Sequence, residues 1–254
     1  MDKLRYIFRG TEDNYSFNAY GSVHLVILAF FVLGIWFIYK NKNKESFCEV
    51  ILRSIAKILL LDQIVLYTWQ IKSGFFNMEQ SLPLYHCRIA TWLIIFGVLA
   101  HKKIFKTTGM YFGAMGSLMG LLVTDLYKFS FPHYTNFQFF LVHILLGWSS
   151  ALILFTQKEK ISNEELKSSL IITNILNIII LTVDFILRRK YLEVNYGYLL
   201  NTPEMIKIKL GTKLNIIVMM CIFNLAIILM HNIFNVIIKR VNLGENKVVK
   251  NSLH

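Results

Sequence analysis

Cys87 is the residue of this chain best suited to form a covalent intermediate. It ends the segment Ser81-Leu82-Pro83-Leu84-Tyr85-His86-Cys87 and is followed by Arg88 and an apolar run. Near the start of a helix, the positive end of the helix dipole and an adjacent cation both favour a thiolate. The three cysteines, Cys48, Cys87 and Cys221, are isolated, so they match neither a C-x-x-C metal pattern nor a disulfide framework. Cys87 is therefore a candidate nucleophile, and the alternative is a small buried hydrophobe.

The base for this thiol must come from another helix. His86 is poorly placed, because adjacent helical residues point about 100° apart. The helical rise puts Cys87 about 6 Å inside its helix from the outer end and His143 about 10 Å inside another, which makes His143 the candidate base. Asp125 lies at the same level and is the candidate to orient the imidazole. The alternatives are hydrogen-bonded packing for His143 and an ion pair for Asp125.

Further polar side chains fall at a similar depth in the predicted spans. Ionisable groups are costly in lipid and tend to face a bundle interior or a wet cavity. Asp62 sits about 12 Å below the outer end of its helix. Gln63, Tyr67 and Gln70 follow at i, i+4 and i+7 of a neighbouring stripe. This convergence predicts an outward-opening polar pocket, with substrate contacts assigned to His24, Asp62, Gln70, His86, Arg88, His133 and Asp184.

Two other interpretations of the polar groups stay open. Hydrogen bonding between helices explains one set: Asn174, Asn177, Asn224, Asn232, Asn235 and His231. By residue type, zinc could be held by a second set: Cys87, His143, His24 and Asp125. Because neither H-x-x-H nor C-x-x-C spacing is present, we expect no metal and no other cofactor.

The composition places these residues in a membrane protein. Of 254 residues, 55% are hydrophobic and 17% are charged, and the mean hydropathy is +0.51, whereas about 25% of residues in soluble domains are charged. A helix needs about 20 apolar residues to cross a hydrocarbon core of about 30 Å. Seven apolar windows occur, near Ser22–Tyr39, Val50–Gln70, Pro83–Ala100, Gly109–Leu126, Asn136–Phe155, Ser168–Leu187 and Leu214–Ile238. We predict an all-α bundle of about seven transmembrane helices, forming a single membrane domain over residues 1–254.

Positive charge lies in short patches between these windows. The loops 40–44, 102–106 and 158–167 carry three lysines each, and the loops holding Lys72 and Lys128 carry one each. Nine against two predicts the N-terminus outside and the C-terminus inside, although the N-terminal segment and the loop 188–213 are also basic. We therefore expect an outer N-terminal segment (1–21), a helix bundle (22–238) with an outer loop (188–213), and a basic cytoplasmic tail (239–254). The net charge of +12 indicates topology rather than nucleic-acid binding.

Glycine and proline give two further predictions about the helices. Gly113, Gly116 and Gly120 recur at i, i+3 and i+7, which predicts a smooth face for close helix packing. Pro83 fits the first turn of its helix, where no backbone N–H is needed.

A set of motifs occurs in a characteristic order along the chain. It comprises a span opening with His24, the segment Ser81 to Cys87, Thr124-Asp125-Leu126, Phe131-Pro132-His133, Phe137 to His143, and Asn195-Tyr196-Gly197-Tyr198-Leu199. Their order and spacing resemble the YwaF family of bacterial integral membrane proteins, which is related to animal transmembrane protein 164. The resemblance runs from about His24 to Pro203.

This resemblance implies a compact helix bundle in the bacterial cytoplasmic membrane. The animal branch is described as a cysteine-dependent acyltransferase acting on ether phospholipids, which implies phospholipid substrates here. Cys87 and His143 match the family's cysteine and histidine. Asn195 and Tyr196 join the expected substrate contacts through the same resemblance.

The chain departs from the family pattern beside the cysteine. Tyr85 stands where bacterial relatives place a histidine, and Arg88 stands where they place an acidic residue; His86 is a candidate for the displaced histidine. Thr124 replaces a proline, while Asp125 is kept. The departures leave the cysteine and the second histidine intact, but they change the local hydrogen bonding.

Three functions remain open at this point. The first is a lipid acyltransferase that forms a thioester on Cys87. The second is a transporter subunit, or a membrane protein that binds a solute or metal in the same outer pocket. The third is a structural partner of another membrane protein, or a homo-oligomer, packing through the glycine face.

Overall fold

The computed structural model describes residues 3–13, 15–202 and 209–251, and it is all-helical. Helices make up 72% of the described residues, and no strand occurs among them. In chain order the helices are α1 (Lys3–Ile7), α2 (Ser22–Asn41), α3 (Glu45–Lys72), α4 (His86–Leu99), α5 (Lys103–Leu122), α6 (Tyr134–Phe155), α7 (Asn163–Leu187), a 3-10 helix (Tyr196–Tyr198) and α8 (Thr212–Asn251). The predicted all-α class is confirmed, while Pro203 and part of the loop 188–213 lie outside the described residues.

Each predicted apolar window falls on one helix from α2 to α8. Among the described residues, four segments are long and apolar enough to cross a membrane: Ser22–Asn41, Tyr134–Phe155, Asn163–Leu187 and Thr212–Asn242. Helix α3 has the length, but Arg53 and Lys57 interrupt its exposed side and Asp62 its buried side. These helices support a membrane protein, whereas the count of seven spans and the orientation stay predictions.

The surface of α2 is suited to lipid rather than water. Its 18-residue apolar stretch is only 11% buried, and it exposes large side chains such as Val26, Phe30, Val32 and Trp36. A soluble protein rarely exposes so large a contiguous apolar surface. Insertion of α2 into the hydrocarbon core of a membrane explains this exposed apolar surface, and no second protein is needed to cover it.

Helix α4 starts later than predicted and is short. It begins at His86, so Pro83 precedes the helix and its predicted place in the first turn was wrong. The segment before the helix is held as coil by Arg88, whose guanidinium donates to the carbonyl groups of Ser81 (2.7 Å) and Leu82 (3.2 Å). With 14 residues, α4 is about 21 Å long, too short to cross a core of about 30 Å alone.

Helix α5 ends earlier than predicted, at Leu122 rather than Leu126. Val123 leaves the helical region with φ −121° and ψ 78°. The last carbonyl groups are satisfied from the start of α2: His24 Nε2 lies 2.8 Å from the Leu121 oxygen, and the Tyr20 hydroxyl donates to the Leu122 oxygen at 2.6 Å. Asp125 therefore lies beyond the helix that it was expected to close.

Contacts divide the chain into two compact units, residues 1–152 and 153–254. In the first unit, α4 packs along α5. In the second, α7 packs on α8, and Asn174 and Asn224 exchange two amide hydrogen bonds of 2.8 and 3.0 Å. The predicted hydrogen bonding between helices is confirmed for this pair.

Candidate active site

Cys87 occupies the first turn of α4. It is the second residue of the helix, which follows Tyr85 as N-cap residue with φ −68° and ψ 139°. The first backbone bond of the helix runs from Ile89 N–H to the Tyr85 carbonyl at 3.0 Å, so earlier amides have no intrahelical acceptor. The N–H groups of Cys87 and Arg88 interact with the Cys87 sulfur. Burial of the sulfur disfavours a thiolate, and these amides, the helix dipole and the adjacent Arg88 partly offset that cost by favouring negative charge on the sulfur or on an oxygen beside it.

The imidazole of His143 has a defined tautomer. Its Nδ1 lies 2.7 Å from the Phe139 carbonyl oxygen, and since a carbonyl can only accept, Nδ1 carries the proton. Nε2 then presents its lone pair, and no described residue forms a hydrogen bond with it. The ring is 6% exposed and packs against the Phe139 ring with centroids 4.4 Å apart. His143 is thus set up to accept a proton at Nε2.

The glycine strip of α5, Gly113, Gly116 and Gly120, lies between these two residues. A Cβ atom on Gly116 would sit 3.4 Å from Cα and Cβ of Cys87, and one on Gly120 would overlap the His143 ring at Cδ2 and Nε2. The two glycines are one helical turn apart, about 6 Å along the axis. The predicted close packing is confirmed, and it brings Cys87 and His143 to neighbouring turns of one strip.

The sulfur and the imidazole are not joined directly. Within the described part of the chain, no hydrogen bond links Cys87 Sγ to the ring of His143. Catalytic hydrogen bonds are often long without substrate and tighten only in the complex. The arrangement is therefore a nucleophile on α4 and a base on α6, which both pack against the glycine strip of α5.

Asp125 and His24 occupy different surroundings from those expected. Asp125 is exposed in the coil after α5, and the atom found at His143 Nδ1 is the Phe139 oxygen. His24 is fully buried with both ring nitrogens engaged, because Nδ1 accepts from Tyr20 N–H at 2.8 Å and Nε2 donates to the carbonyl at the end of α5. His24 therefore joins α2 to α5.

Arg88 anchors the coil that leads into α4. Besides the two carbonyl groups described above, its guanidinium donates to the Tyr127 hydroxyl at 2.9 Å. Gln70 donates to the same hydroxyl at 3.2 Å, so Tyr127 connects α3 to the start of α4. His86 points to another neighbour and stacks on Phe112 with centroids 5.7 Å apart. Tyr127 lies in a loop with no periodic signal, which is why sequence reasoning missed it.

Asp62 is the centre of a second polar group. Its carboxylate is 8% exposed and accepts from the side-chain amides of Gln63 and Gln138, each at 3.0 Å. The Tyr134 hydroxyl lies close to the same carboxylate. Gln138 was missed by sequence reasoning, although it precedes His143 by five positions on the same apolar helix.

His133 holds the N-terminal segment. It is fully buried, stacks on Phe129 with centroids 3.8 Å apart, and its Nε2 donates to the Arg9 carbonyl at 3.0 Å. Burial lowers the pKa of His133, so the neutral ring is favoured. Arg9 also bonds Asp13, and this guanidinium together with Ser130 holds the pKa of Asp13 well below its usual range. His133 thus anchors residues 3–13 to the coil before α6.

Asp184, Asn195 and Tyr196 form one anchor in the second unit. Asp184 Oδ1 accepts from Tyr196 N–H at 3.2 Å, and Asn195 Oδ1 accepts from the N–H groups of Leu200 and Asn201, both at 3.1 Å. The turn that follows Tyr196 needs a left-handed backbone at Gly197, where φ is 64°. These residues shape the loop after α7.

Neither metal chemistry nor a large cavity marks the cysteine. Across the ranges that the structure describes, no group of three or more His, Cys, Asp or Glu side chains is placed to hold a metal ion. A cavity of about 600 Å³ lies between the start of α7 and α8, and another of about 340 Å³ lies along α3 beside Phe8. Cys87 and His143 line neither of them.

Comparison with known proteins places the chain in one family. No curated protein and no solved structure matches it. The family model described as the TMEM164 family matches residues 17–243, which confirms the predicted relation to transmembrane protein 164, and the chain belongs to this family.

Proposed function

We propose that this protein is a cysteine-dependent acyltransferase acting on phospholipids in a bacterial cytoplasmic membrane. The proposal rests on the position of Cys87 in the first turn of α4, beside Gly116 of α5. One helical turn along α5, Gly120 contacts the ring of His143, whose Nε2 accepts no hydrogen bond from a described residue. A thiol at a helix start, with an imidazole one turn away on the same strip, is an arrangement that suits acyl transfer. The family resemblance points to the same chemistry.

The first half-reaction loads the cysteine. Cys87 Sγ attacks the ester carbonyl of a phospholipid while its proton passes to His143 Nε2. The S–C bond forms, the ester C–O bond breaks, and the imidazolium returns the proton to the leaving lysolipid oxygen. The oxygen of the tetrahedral intermediate carries the negative charge, and the N–H groups of Cys87 and Arg88, which have no acceptor within the helix, can donate to it.

The second half-reaction reverses these roles. The hydroxyl of an acceptor lysolipid attacks the thioester carbonyl, and His143 Nε2 takes the hydroxyl proton. The new ester C–O bond forms as the C–S bond breaks, and the proton returns to the sulfur. Arg88, one residue after the cysteine, keeps its hydrogen bonds to the preceding coil and to Tyr127, and its positive charge favours the departing thiolate.

Transfer of a labelled acyl chain from phospholipid to lysolipid by purified protein tests the proposal. We expect transfer by the wild type and by Cys221→Ala, because Cys221 is exposed on α8. Cys87→Ala should lose at least a hundredfold in rate. Equal transfer by the two cysteine variants would exclude Cys87 as the nucleophile.

The buried carboxylate supports a second candidate, a transporter subunit or solute-binding protein. Asp62 is nearly enclosed in an apolar helix bundle with two amide donors, and such intramembrane charges often mark ligand or ion sites. Full function of Cys87→Ser with loss in Asp62→Asn would favour this candidate. Co-purification tests the membrane-protein partner or homo-oligomer that the sequence also allows.

A further inference from the structure

We propose that the cavity between the start of α7 and α8 binds the phosphate headgroup of an anionic phospholipid. The cavity measures about 600 Å³ and belongs wholly to the second unit. Its lining comprises Lys160, Ile161, Ser162, Asn163, His231, Asn232, Asn235, Val236 and Lys239. It is separate from Cys87 and does not depend on the acyltransferase proposal.

The cavity lies at the level of lipid headgroups. The candidate span on α8, Thr212–Asn242, covers 31 residues, about 46 Å of helix, so it is longer than a hydrocarbon core of about 30 Å. Counted from Thr212, about 20 residues span the core, so α8 leaves the core near His231 to Asn235. Helix α7 begins with the polar residues Asn163 to Ser169, so its apolar part also ends at this level. Lipid phosphates therefore lie beside the cavity.

The charge of the cavity suits an anion. Lys160 reaches it from the loop before α7 and Lys239 from α8, and neither forms an ion pair with a described residue. Three glutamates flank the cavity along the chain without lining it: Glu159, Glu164 and Glu165. The Glu165 carboxylate accepts from the backbone N–H and hydroxyl of Ser162 in a capping box and interacts with His231. Two lysines are left facing the cavity without a carboxylate partner.

The frame of the cavity is fixed before any ligand enters. Asn235 accepts from Ile161 N–H at 2.8 Å and donates to the Ile161 carbonyl at 3.1 Å. Asn242 donates to the Lys158 carbonyl at 2.8 Å. The loop that carries Lys160 is thus tied to α8 at two points, which lowers the ordering cost of binding.

An apolar stripe below the cavity favours a lipid over a soluble phosphate ester. Leu225, Leu229, Asn232, Val236 and Lys239 recur at intervals of four, three, four and three residues, so they share one face of α8. All five are exposed, Leu229 to 61%. An acyl chain can lie along the leucines while its headgroup reaches Lys239.

Lipid binding counted by native mass spectrometry tests the assignment. Purified full-length protein is titrated with phosphatidylglycerol or phosphatidylcholine of the same acyl chains. We expect phosphatidylglycerol to bind about thirtyfold more tightly, since each lysine near an anionic headgroup contributes roughly a fivefold gain. K160Q/K239Q should lose this preference and K160R/K239R should keep it.

The matched control is K167Q/R240Q, which removes two charges from the same helix ends without touching the cavity. Equal binding of both lipids to the wild type, or an equal loss in the control, would overturn the proposal. Displacement of phosphatidylglycerol by millimolar glycerol phosphate would overturn the lipid assignment in favour of a soluble ester. Unfolding midpoints of all variants exclude loss of fold as the cause.

Discussion

Gly120→Ala should abolish most of the acyl-transfer activity of the candidate site by displacing the imidazole ring of His143. An alanine Cβ at this position overlaps Cδ2 and Nε2 of His143, which are parts of a rigid ring rather than the end of a flexible chain. Gly116→Ala is the matched control one turn away, because its Cβ makes an ordinary contact of 3.4 Å with Cys87. The two changes have the same chemistry and differ only in what the new methyl group meets.

The size of the effect follows from the overlap. Relieving it requires His143 to shift by about 1 Å, and a displacement of this size at a catalytic group costs about a hundredfold in rate. Overpacking costs about 1–3 kcal/mol of stability, partly offset by about 1 kcal/mol from the higher helix propensity of alanine. Gly116→Ala gains the propensity without the overlap, so its acyl-transfer rate should stay within about threefold of wild type.

The assay is the initial rate of acyl transfer per folded protein, with the unfolding midpoint measured on the same samples. A double-mutant cycle separates ring displacement from general damage. If Gly120→Ala acts through His143, the double variant G120A/H143A is no slower than H143A. The reasoning is refuted if G120A transfers within threefold of wild type, or if G116A loses as much as G120A.

Three further outcomes follow from the contacts described above. Because burial lowers the pKa of His133, the unfolded state binds more protons than the folded state near pH 6. Anchoring of residues 3–13 is therefore complete above about pH 6.5 and weakens as the pH falls. Hydrogen exchange of this segment should rise on acidification, and it should rise less in H133F. Asp125→Asn should retain transfer within about threefold, because the Phe139 carbonyl holds the imidazole. Arg88→Lys should lower unfolding stability by about 2 kcal/mol, because an ammonium cannot serve both Ser81 and Tyr127.

Each of these has a result that contradicts it. Exchange in residues 3–13 that is independent of pH would show that His133 does not hold the segment. A hundredfold loss in D125N would restore the carboxylate as the orienting group. An unchanged unfolding midpoint in R88K would mean that the coil before α4 is held by other contacts.

The helices could be predicted from sequence because apolar windows report burial in lipid directly. Their ends could not, since these depend on contacts from elsewhere in the chain. The start of α4 is set by Arg88 reaching back to Ser81, and the end of α5 by His24. Neither contact leaves a periodic signal.

The candidate site could likewise be predicted from sequence only in part. The glycine spacing was enough to predict the close packing that is observed. The predicted depth of Cys87 was too large, because α4 begins at His86 and Cys87 is its second residue. The sequence offered no means of knowing that Gly120 packs on the imidazole itself, or that the Phe139 carbonyl replaces a carboxylate at Nδ1. Side-chain direction across a helix interface is a tertiary property, which one sequence does not encode locally.

Trapping the acyl-enzyme tests the central claim most directly. Purified protein is incubated with a phospholipid donor without acceptor, and the intact protein and its peptides are weighed by mass spectrometry before and after hydroxylamine. The account predicts one added acyl chain on the peptide containing Cys87 in the wild type and in Cys221→Ala, removed by hydroxylamine and absent from Cys87→Ala. An acyl adduct of equal yield in Cys87→Ala would contradict it.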